Sequence, residues 1–357
     1  MKIGFLTSGG DCQALNAAMR GTAKYLYESK KDKVEFFGFI DGYKGLIRGD
    51  YKKLKINDFE NILNLGGTIL GNSRTPFKLI NEPDEEGRDK VKSMIDTYKK
   101  IGLDCLVVAG GNGSHKTANL LFEKGLNVVT LPKTIDNDLE GIDISFGFQS
   151  AIDVATEYID KLHSTAKSHS RVFVVEVMGH KTGWLTLHSG IASNSDIILI
   201  PEIPYNIDTV AKAIEDKTKQ GKNYVIIAAA EGIISNEESK LIKKELKKKR
   251  KEEGNLSAAD RLANELSKLT DKEIRTAVIG HIQRGGNPCA FDRVLATRLG
   301  IEAGELIEKG QYGFMATYIG NHITSVSLSE VAGKTKMVKI DDELVVQAKK
   351  LGICLGE

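Results

Sequence analysis

Cysteine is scarce in this chain of 357 residues, which holds four in all. Cys12, Cys105, Cys289 and Cys354 stand far apart without metal-ligand spacing, which argues against a thiolate metal site. They read as free thiols of a reducing cytosol. Long apolar runs are missing too, so no segment is long enough to span a bilayer, and no signal-peptide pattern precedes the first strand. The expectation is a cytoplasmic protein. Charge is balanced, with 50 Lys and Arg against 48 Asp and Glu and a net of +2. That balance points neither to nucleic acid nor to a membrane surface as the main partner. No Walker-type GK[ST] occurs, and no internal repeat is visible. What is present is 41% hydrophobic and 27% charged residues, in a length that allows two domains with separate cores.

The most informative stretch runs from Asp104 to Asp138. Cys105 to Ala109 reads as a buried strand, followed by a glycine turn, a helix and a second strand from Val128 to Leu131. Gly110, Gly111 and Gly113 fall where the strand turns into the helix. Glycine lets the backbone bend there and lets a phosphate approach the helix N-terminus, where free N–H groups and the dipole favour anions. Taken alone, such a turn is as often plain structure as a ligand site. The next strand ends in Lys133, Thr134, Asp136 and Asp138, at the carboxyl edge of the same sheet, where open parallel sheets bind ligands. A phosphate cradle and two carboxylates brought to one edge suit phosphoryl transfer to a hydroxyl.

Elsewhere the pattern repeats. Lys2 to Thr7 is a strand, Ser8 to Asp11 a second glycine turn, and Asn16 to Tyr27 a helix. Val34 to Ile40 reads as a strand, and Asp41 to Leu46 as a turn. The glycine-rich loop from Gly66 ends in Arg74, a candidate phosphate ligand. Phe148 to His163 reads as a helix, and Arg171 to Val177 as a strand with both faces covered. Trp184 and Leu185 are expected to pack the following helix. Ile197 to Ile200 and Tyr224 to Ala229 are further strands, followed by Glu202 and Glu231. Asn236 to Glu273 turns sharply to Lys and Glu, and reads as one or two solvated helices in an insertion. Thr276 to Gly280 is a strand, Ala316 to Leu328 a hairpin around "GNH", and Asp341 to Leu351 a closing helix. The alternation gives a doubly wound α/β architecture.

The segments "TSGGD…N", "GGTILGNSR", "GGNGS", "PKTIDND", "VVEVMG", "PEIPY" and "HIQRGGNP…FDR", in this order, resemble the phosphofructokinase family over nearly the whole chain outside the charged insertion. The resemblance implies two Rossmann-like domains with mainly parallel sheets and an active site in the interdomain cleft. It implies that residues 1–140 and 283–330 bind the phosphoryl donor, and that 141–282 and 331–357, with the insertion at 236–273, bind fructose 6-phosphate. Gly10 would contact donor phosphates together with Asn112, Gly113 and Ser114. Arg74 and Lys133 would steady the transferred group, and Asp136 would be the general base, flanked by Thr134. Asn112 and Asp138 would serve Mg²⁺. Met178, Gly179, His180, Glu231, His281 and Arg284 would contact the sugar phosphate, and Arg171 and Arg275 would reach it from a neighbouring subunit of a homodimer or homotetramer.

Four positions depart from the family pattern. Asn112 stands where most members have aspartate, His180 where many have arginine, and Gln13 and Ala14 where Pro-Gly is usual. The resemblance implies an ATP-dependent 6-phosphofructokinase that uses Mg²⁺. The alternatives are a pyrophosphate-dependent relative and a non-catalytic sugar-phosphate-binding subunit. Family pyrophosphate users tend to have aspartate at the position of Gly113 and lysine at that of Lys133, and this chain combines glycine with lysine.

Overall fold

The structure is a computed structural model, and it describes residues 1–254 and 256–357. Among these residues the strands of the first half are β1 (Lys2–Thr7), β2 (Glu35–Phe39), β3 (Tyr51–Leu54), β4 (Cys105–Gly110) and β5 (Val128–Pro132). Then come β6 (Val172–Val177), β7 (Ile197–Leu199), β8 (Val225–Ala230), β9 (Ile274–Val278), β10 (Phe314–Ile319) and β11 (His322–Ser327). The helices begin with α1 (Leu15–Lys30), α2 (Tyr43–Arg48), α3 (Lys90–Ile101), α4 (Asn112–Glu123), α5 (Phe148–His169) and α6 (Trp184–Ala192). They continue with α7 (Ile207–Lys219), α8 (Lys243–Glu252), α9 (Ala258–Leu266), α10 (Ala290–Glu308), α11 (Leu328–Val331) and α12 (Glu343–Lys350). None is long and apolar enough to cross a membrane.

The chain divides into two compact units, Met1–Ser150 with Arg284–Thr335 and Ala151–Gln283 with Lys336–Glu357. The first holds a seven-stranded sheet in the order β11-β10-β5-β4-β1-β2-β3. Its strands are parallel except for the two outer pairs, β2 with β3 and β10 with β11. The chain winds from β1 one way to β2 and the other way to β4, which makes a topological switch point there. Thr7 pairs with Ala109 and Gly110 with Pro132, so the carboxyl ends of β1, β4 and β5 come out level. These strands are apolar without alternation because both their faces are covered; β4 and β5 are buried at every residue.

The second unit holds a parallel sheet in the order β7-β8-β6-β9. On one face, Val172, Val174, Ile227 and Ala229 join Val210 and Ile214 of α7 in a single cluster. On the other, Ile198 and Ala228 lie against Gly190 of α6. Val177 pairs with Ala230, which sets the ends of β6 and β8 side by side.

Three expectations are corrected here. The stretch Asn236 to Glu273 is not wholly solvated. α8 buries none of its residues, but α9 buries Ala258, Ala259, Leu262 and Leu266 in the core of the second unit. The apolar residues of α9 recur at helical spacing inside a charged composition, and burying each leucine contributes roughly 1.5–3 kcal/mol. Asn255, within the same stretch, lies outside the described residues. Asp41 to Leu46 is not simply a turn either, because α2 starts at Tyr43, whose ring is fully buried. Gly42 and Gly49, both at positive φ, bound this helix. α5 runs on to His169, six residues past the expected end at His163.

Candidate active site

In the first unit, three loops gather at the carboxyl ends of β1, β4 and β5. Gly9 N donates to the Ser73 carbonyl at 3.1 Å, which lays the Arg74 loop beside the first glycine turn. Arg74 itself is exposed. Lys133 Nζ donates to the Gly10 carbonyl, so the end of β5 holds the same turn from the other side. Arg284 Nη1 donates to the Asp11 carbonyl at 3.2 Å. A Cβ on Gly10 would fall 1.6 Å from that guanidinium nitrogen, so any larger residue would push the Arg284 side chain off the turn. The sequence reading groups Arg284 with the sugar-phosphate contacts; it stands in the first unit, against the glycine turn.

Lys133 is only 3% exposed. Burial lowers its pKa most, with Arg284 lowering it further and Cys12, Asp136 and Asp11 acting the other way. Ser114, in the first turn of α4, is buried, with its Cβ 2.3 Å from where a side chain on Gly110 would begin. Gly113 differs, because a Cβ there would meet nothing within 4 Å.

The loop from Thr134 to Asp138 is braced by residues the sequence reading did not single out. Asn137 sits at φ 51°, in the left-handed region that asparagine tolerates. Its Oδ1 accepts from Ser145 N at 3.0 Å, and its Nδ2 donates to the Asp143 carbonyl at 3.1 Å. Ser145 Oγ donates to the Thr134 carbonyl at 2.7 Å, and Asp136 N donates to Thr134 Oγ1 at 3.0 Å. Asp136 and Asp138 are half-buried on either side of Asn137. The signal in the sequence was the alternation Asp-Asn-Asp, in which asparagine can turn the chain between two outward carboxylates.

The departures have physical roles. Gln13 is buried and donates Nε2 to the Gly285 carbonyl at 3.1 Å, tying the first glycine turn to the "RGG" segment. Asn112 donates Nδ2 to the Lys334 carbonyl at 2.7 Å, a bond an aspartate could not make. Its Oδ1 is buried without a hydrogen-bond partner among the described residues.

His115 lies behind this edge, buried in α4, with its pKa lowered to about 4, chiefly by burial. An unfolded histidine titrates near ~6.5, so the unfolded chain takes the proton first. Stability from this group is complete above that value and is lost as pH falls toward 4, by about 3 kcal/mol in all. Urea midpoints measured from pH 7 to 4.5 should fall less steeply for His115→Gln than for the parent. Equal slopes would refute the assignment.

In the second unit, Met178, Gly179 and His180 leave the end of β6, and Glu231 leaves the end of β8. His180 N donates to Glu231 Oε1 at 2.7 Å, and Met178 N donates to Gln283 Oε1 at 3.3 Å. His180 is held at φ 54°, with its side chain exposed. His281 is exposed in the turn that follows β9 at the same sheet edge. Arg171 and Arg275 are not part of this group. They stand at the opening ends of β6 and β9, and both pair with Glu273, Arg171 Nε at 2.6 Å. The six residues of β6 separate Arg171 from Met178, so seven steps at about 3.3 Å each put them roughly 23 Å apart.

A switch point with two glycine turns, a buried lysine and a carboxylate loop is an arrangement suited to anions in a doubly wound α/β protein. Residues 2–307 match the pattern of the family described as "Phosphofructokinase". The ATP-dependent 6-phosphofructokinase of Spirochaeta thermophila is 49% identical over 358 residues, 99% of this chain and 97% of that protein. The pyrophosphate–fructose 6-phosphate 1-phosphotransferase of Amycolatopsis mediterranei is 41% identical over 96% of this chain and 97% of its own length. Among solved structures, a phosphofructokinase from Saccharomyces cerevisiae superposes with a TM-score of 0.78 at 30% identity. That match covers 92% of this chain and 45% of the yeast chain. The chain belongs to the phosphofructokinase family.

Proposed function

We propose that the chain is an ATP-dependent 6-phosphofructokinase of glycolysis, acting in the cytoplasm. It would transfer the terminal phosphoryl group of ATP to the 1-hydroxyl of fructose 6-phosphate, giving fructose 1,6-bisphosphate and ADP. The observation that carries this reading is the braced Thr134–Asp138 loop set level with two glycine turns. Asp136 takes the proton of the 1-hydroxyl as that oxygen bonds to phosphorus, and ADP leaves with the electrons of the broken bond. The N–H groups at Gly10 and Gly113 and the Ser114 hydroxyl face the donor phosphates, with Arg74 and Lys133 supplying positive charge, while the Ser114 N–H donates to the Gly111 carbonyl at 2.9 Å. Burial of Lys133 keeps water from screening it, and its bond to the Gly10 carbonyl fixes where the charge sits. Thr134 orients the acceptor hydroxyl beside Asp136. Met178, Gly179, His180, Glu231 and His281 hold the sugar phosphate, and Arg284 contacts it or the donor.

The residues fit a Mg²⁺ ion bound mainly through phosphate. Among the described residues no three His, Cys, Asp or Glu side chains cluster as an all-protein cage. Mg²⁺ is commonly held by one or two carboxylates together with substrate phosphates. Asp138 offers a carboxylate, and Asn112 a neutral oxygen that has no hydrogen-bond partner among the described residues. When bound there, the ion would offset charge on the phosphates.

Arg171 and Arg275 stand at the far end of their strands from His180, which supports a homodimer or homotetramer in which they complete a neighbour's site. Arg171→Ala protein mixed with Asp136→Asn protein is then expected to regain activity in hybrid oligomers. Verified hybrids without recovery would reject shared sites. The test of the whole reading is a coupled assay of purified protein with fructose 6-phosphate, Mg²⁺ and either ATP or pyrophosphate. Product with ATP supports it. Product with pyrophosphate alone favours the phosphotransferase reading, and sugar-phosphate binding without product favours a non-catalytic subunit.

A further inference from the structure

Two glutamates follow neighbouring strands of the second sheet, Glu202 after β7 and Glu231 after β8. Both turn back to the backbone of one loop, residues 178–183, which joins β6 to α6. Glu231 Oε1 accepts from His180 N at 2.7 Å. Glu202 Oε1 accepts from Gly183 N at 3.0 Å, three residues further along the loop. The same Glu202 oxygen accepts from Val338 N at 2.9 Å. All of these residues belong to the second unit. A Cβ on Gly183 would lie 2.4 Å from Ile200 Cβ and 2.9 Å from Glu202 Oε2, so the end of the loop packs directly on the residues that follow β7. Glu202 is half-buried, and its Oε2 is buried without a hydrogen-bond partner among the described residues. Burial raises its pKa, against the pull of the N–H groups of Val338, Gly183 and Glu202 itself.

The loop needs such holds because His180 sits at φ 54°, and a residue other than glycine keeps that conformation where its surroundings over-determine it. Its N–H is fixed by Glu231, and its carbonyl oxygen lies 2.4 Å from where a side chain on Gly232 would begin. Thr182 N turns back to the Gly179 carbonyl at 3.0 Å. The far end of the loop is fixed at Gly183. We propose that Glu202 is a positioning residue for the sugar-phosphate loop, acting through the Gly183 and Val338 backbone to set where His180 stands. The inference rests on the sugar-phosphate reading of residues 178–180. Gly183 and Val338 are both buried, so without Glu202 two buried N–H groups lose their acceptor, and the loop end shifts to find another. What the role requires is an oxygen at this reach, because one oxygen serves both donors. An amide oxygen has two lone pairs and can take both N–H groups equally well.

The experiment measures the dissociation constant for fructose 6-phosphate by equilibrium dialysis of the full chain, in the parent and in Glu202→Gln, Glu202→Asp and Glu202→Ala. Thermal melts establish that each variant is folded. Glu202→Gln keeps the side-chain length and the accepting oxygen, and is expected to bind with near-parental affinity. Glu202→Asp keeps the charge but is one methylene short. It and Glu202→Ala are expected to bind about tenfold more weakly or worse, the scale of a lost hydrogen bond to a charged group. Should Glu202→Ala fail to fold, the comparison of Gln with Asp decides alone. Near-parental affinity in folded Glu202→Asp or Glu202→Ala overturns the proposal. Weak binding by folded Glu202→Gln overturns it too, because charge rather than placement would then be what the loop needs. A parent that binds no fructose 6-phosphate removes the sugar-phosphate reading and the proposal together, whereas a binding parent with variants that all match it removes the proposal alone.

Discussion

Asp136→Asn is expected to bind fructose 6-phosphate at near-parental affinity while turnover falls by about 10²–10⁴-fold, the usual cost of losing a positioned base. The substitution is nearly isosteric, and the bonds that brace its loop from Asn137 and Ser145 do not use the carboxylate. They run through Asn137, Ser145, the Thr134 hydroxyl and carbonyl, and the Asp136 backbone N–H. The loop therefore keeps its form when the base is neutralised. The sugar-phosphate candidates His180 and Glu231 belong to the other unit and hold their own geometry through the His180 N–H to Glu231 bond. Equilibrium binding and steady-state turnover, measured on the same preparation, separate the two effects. Near-normal turnover would remove Asp136 from the role of base.

How far the sequence went can be judged from particular elements. β4 and β5 were legible because a strand covered on both faces has no alternation to lose, and each was followed by residues that cannot stay in a strand. The burial of α9 was missed, though a helix was expected, because composition was averaged over a charged stretch. Its four buried residues, Ala258, Ala259, Leu262 and Leu266, are revealed only by their spacing. α2 was missed for a different reason. Flanking glycines in "DGYKG" read as turn, and only tertiary burial of Tyr43, whose hydroxyl donates to the Ser114 carbonyl at 2.8 Å, makes the helix worth forming.

The candidate site divides in the same way. Motif residues could be named from the chain, but their supports could not, because Gln13 to Gly285 spans 272 residues and Asn112 to Lys334 spans 222. Long-range side-chain bonds leave no periodic mark. They also explain why substitutions that look like losses against the family pattern are tolerated. Asn112 gives up a charge and gains a donor for the Lys334 carbonyl, and Gln13 gains a bond to Gly285.

Gly113→Asp is expected to lower kcat/KM for ATP by about 10²-fold or more while leaving pyrophosphate much less affected. Gly113 lies exposed in the first turn of α4, and a side chain placed on it meets no protein atom within 4 Å. The protein therefore does not need glycine here for packing, and the variant should fold with little strain. What the missing side chain leaves open is solvent space beside the N-terminus of α4, which the donor reading gives to the α-phosphate of ATP. A carboxylate there would take up that space and place like charge against the phosphate. Such a juxtaposition costs several kcal/mol, and each ~1.4 kcal/mol is tenfold. Pyrophosphate ends before that point, so the same carboxylate would lie beyond it. Lys133 does not discriminate in this way. It is buried beside the Gly10 carbonyl and can serve the transferred group of either donor. The deciding measurement is the ratio of kcat/KM for ATP and pyrophosphate at saturating fructose 6-phosphate and Mg²⁺, in the parent and in Gly113→Asp. The parent ratio should favour ATP, and the variant should move it toward pyrophosphate. A parent that already prefers pyrophosphate would reverse the donor assignment, and an unchanged ratio in a folded variant would show that the α-phosphate does not come near Gly113.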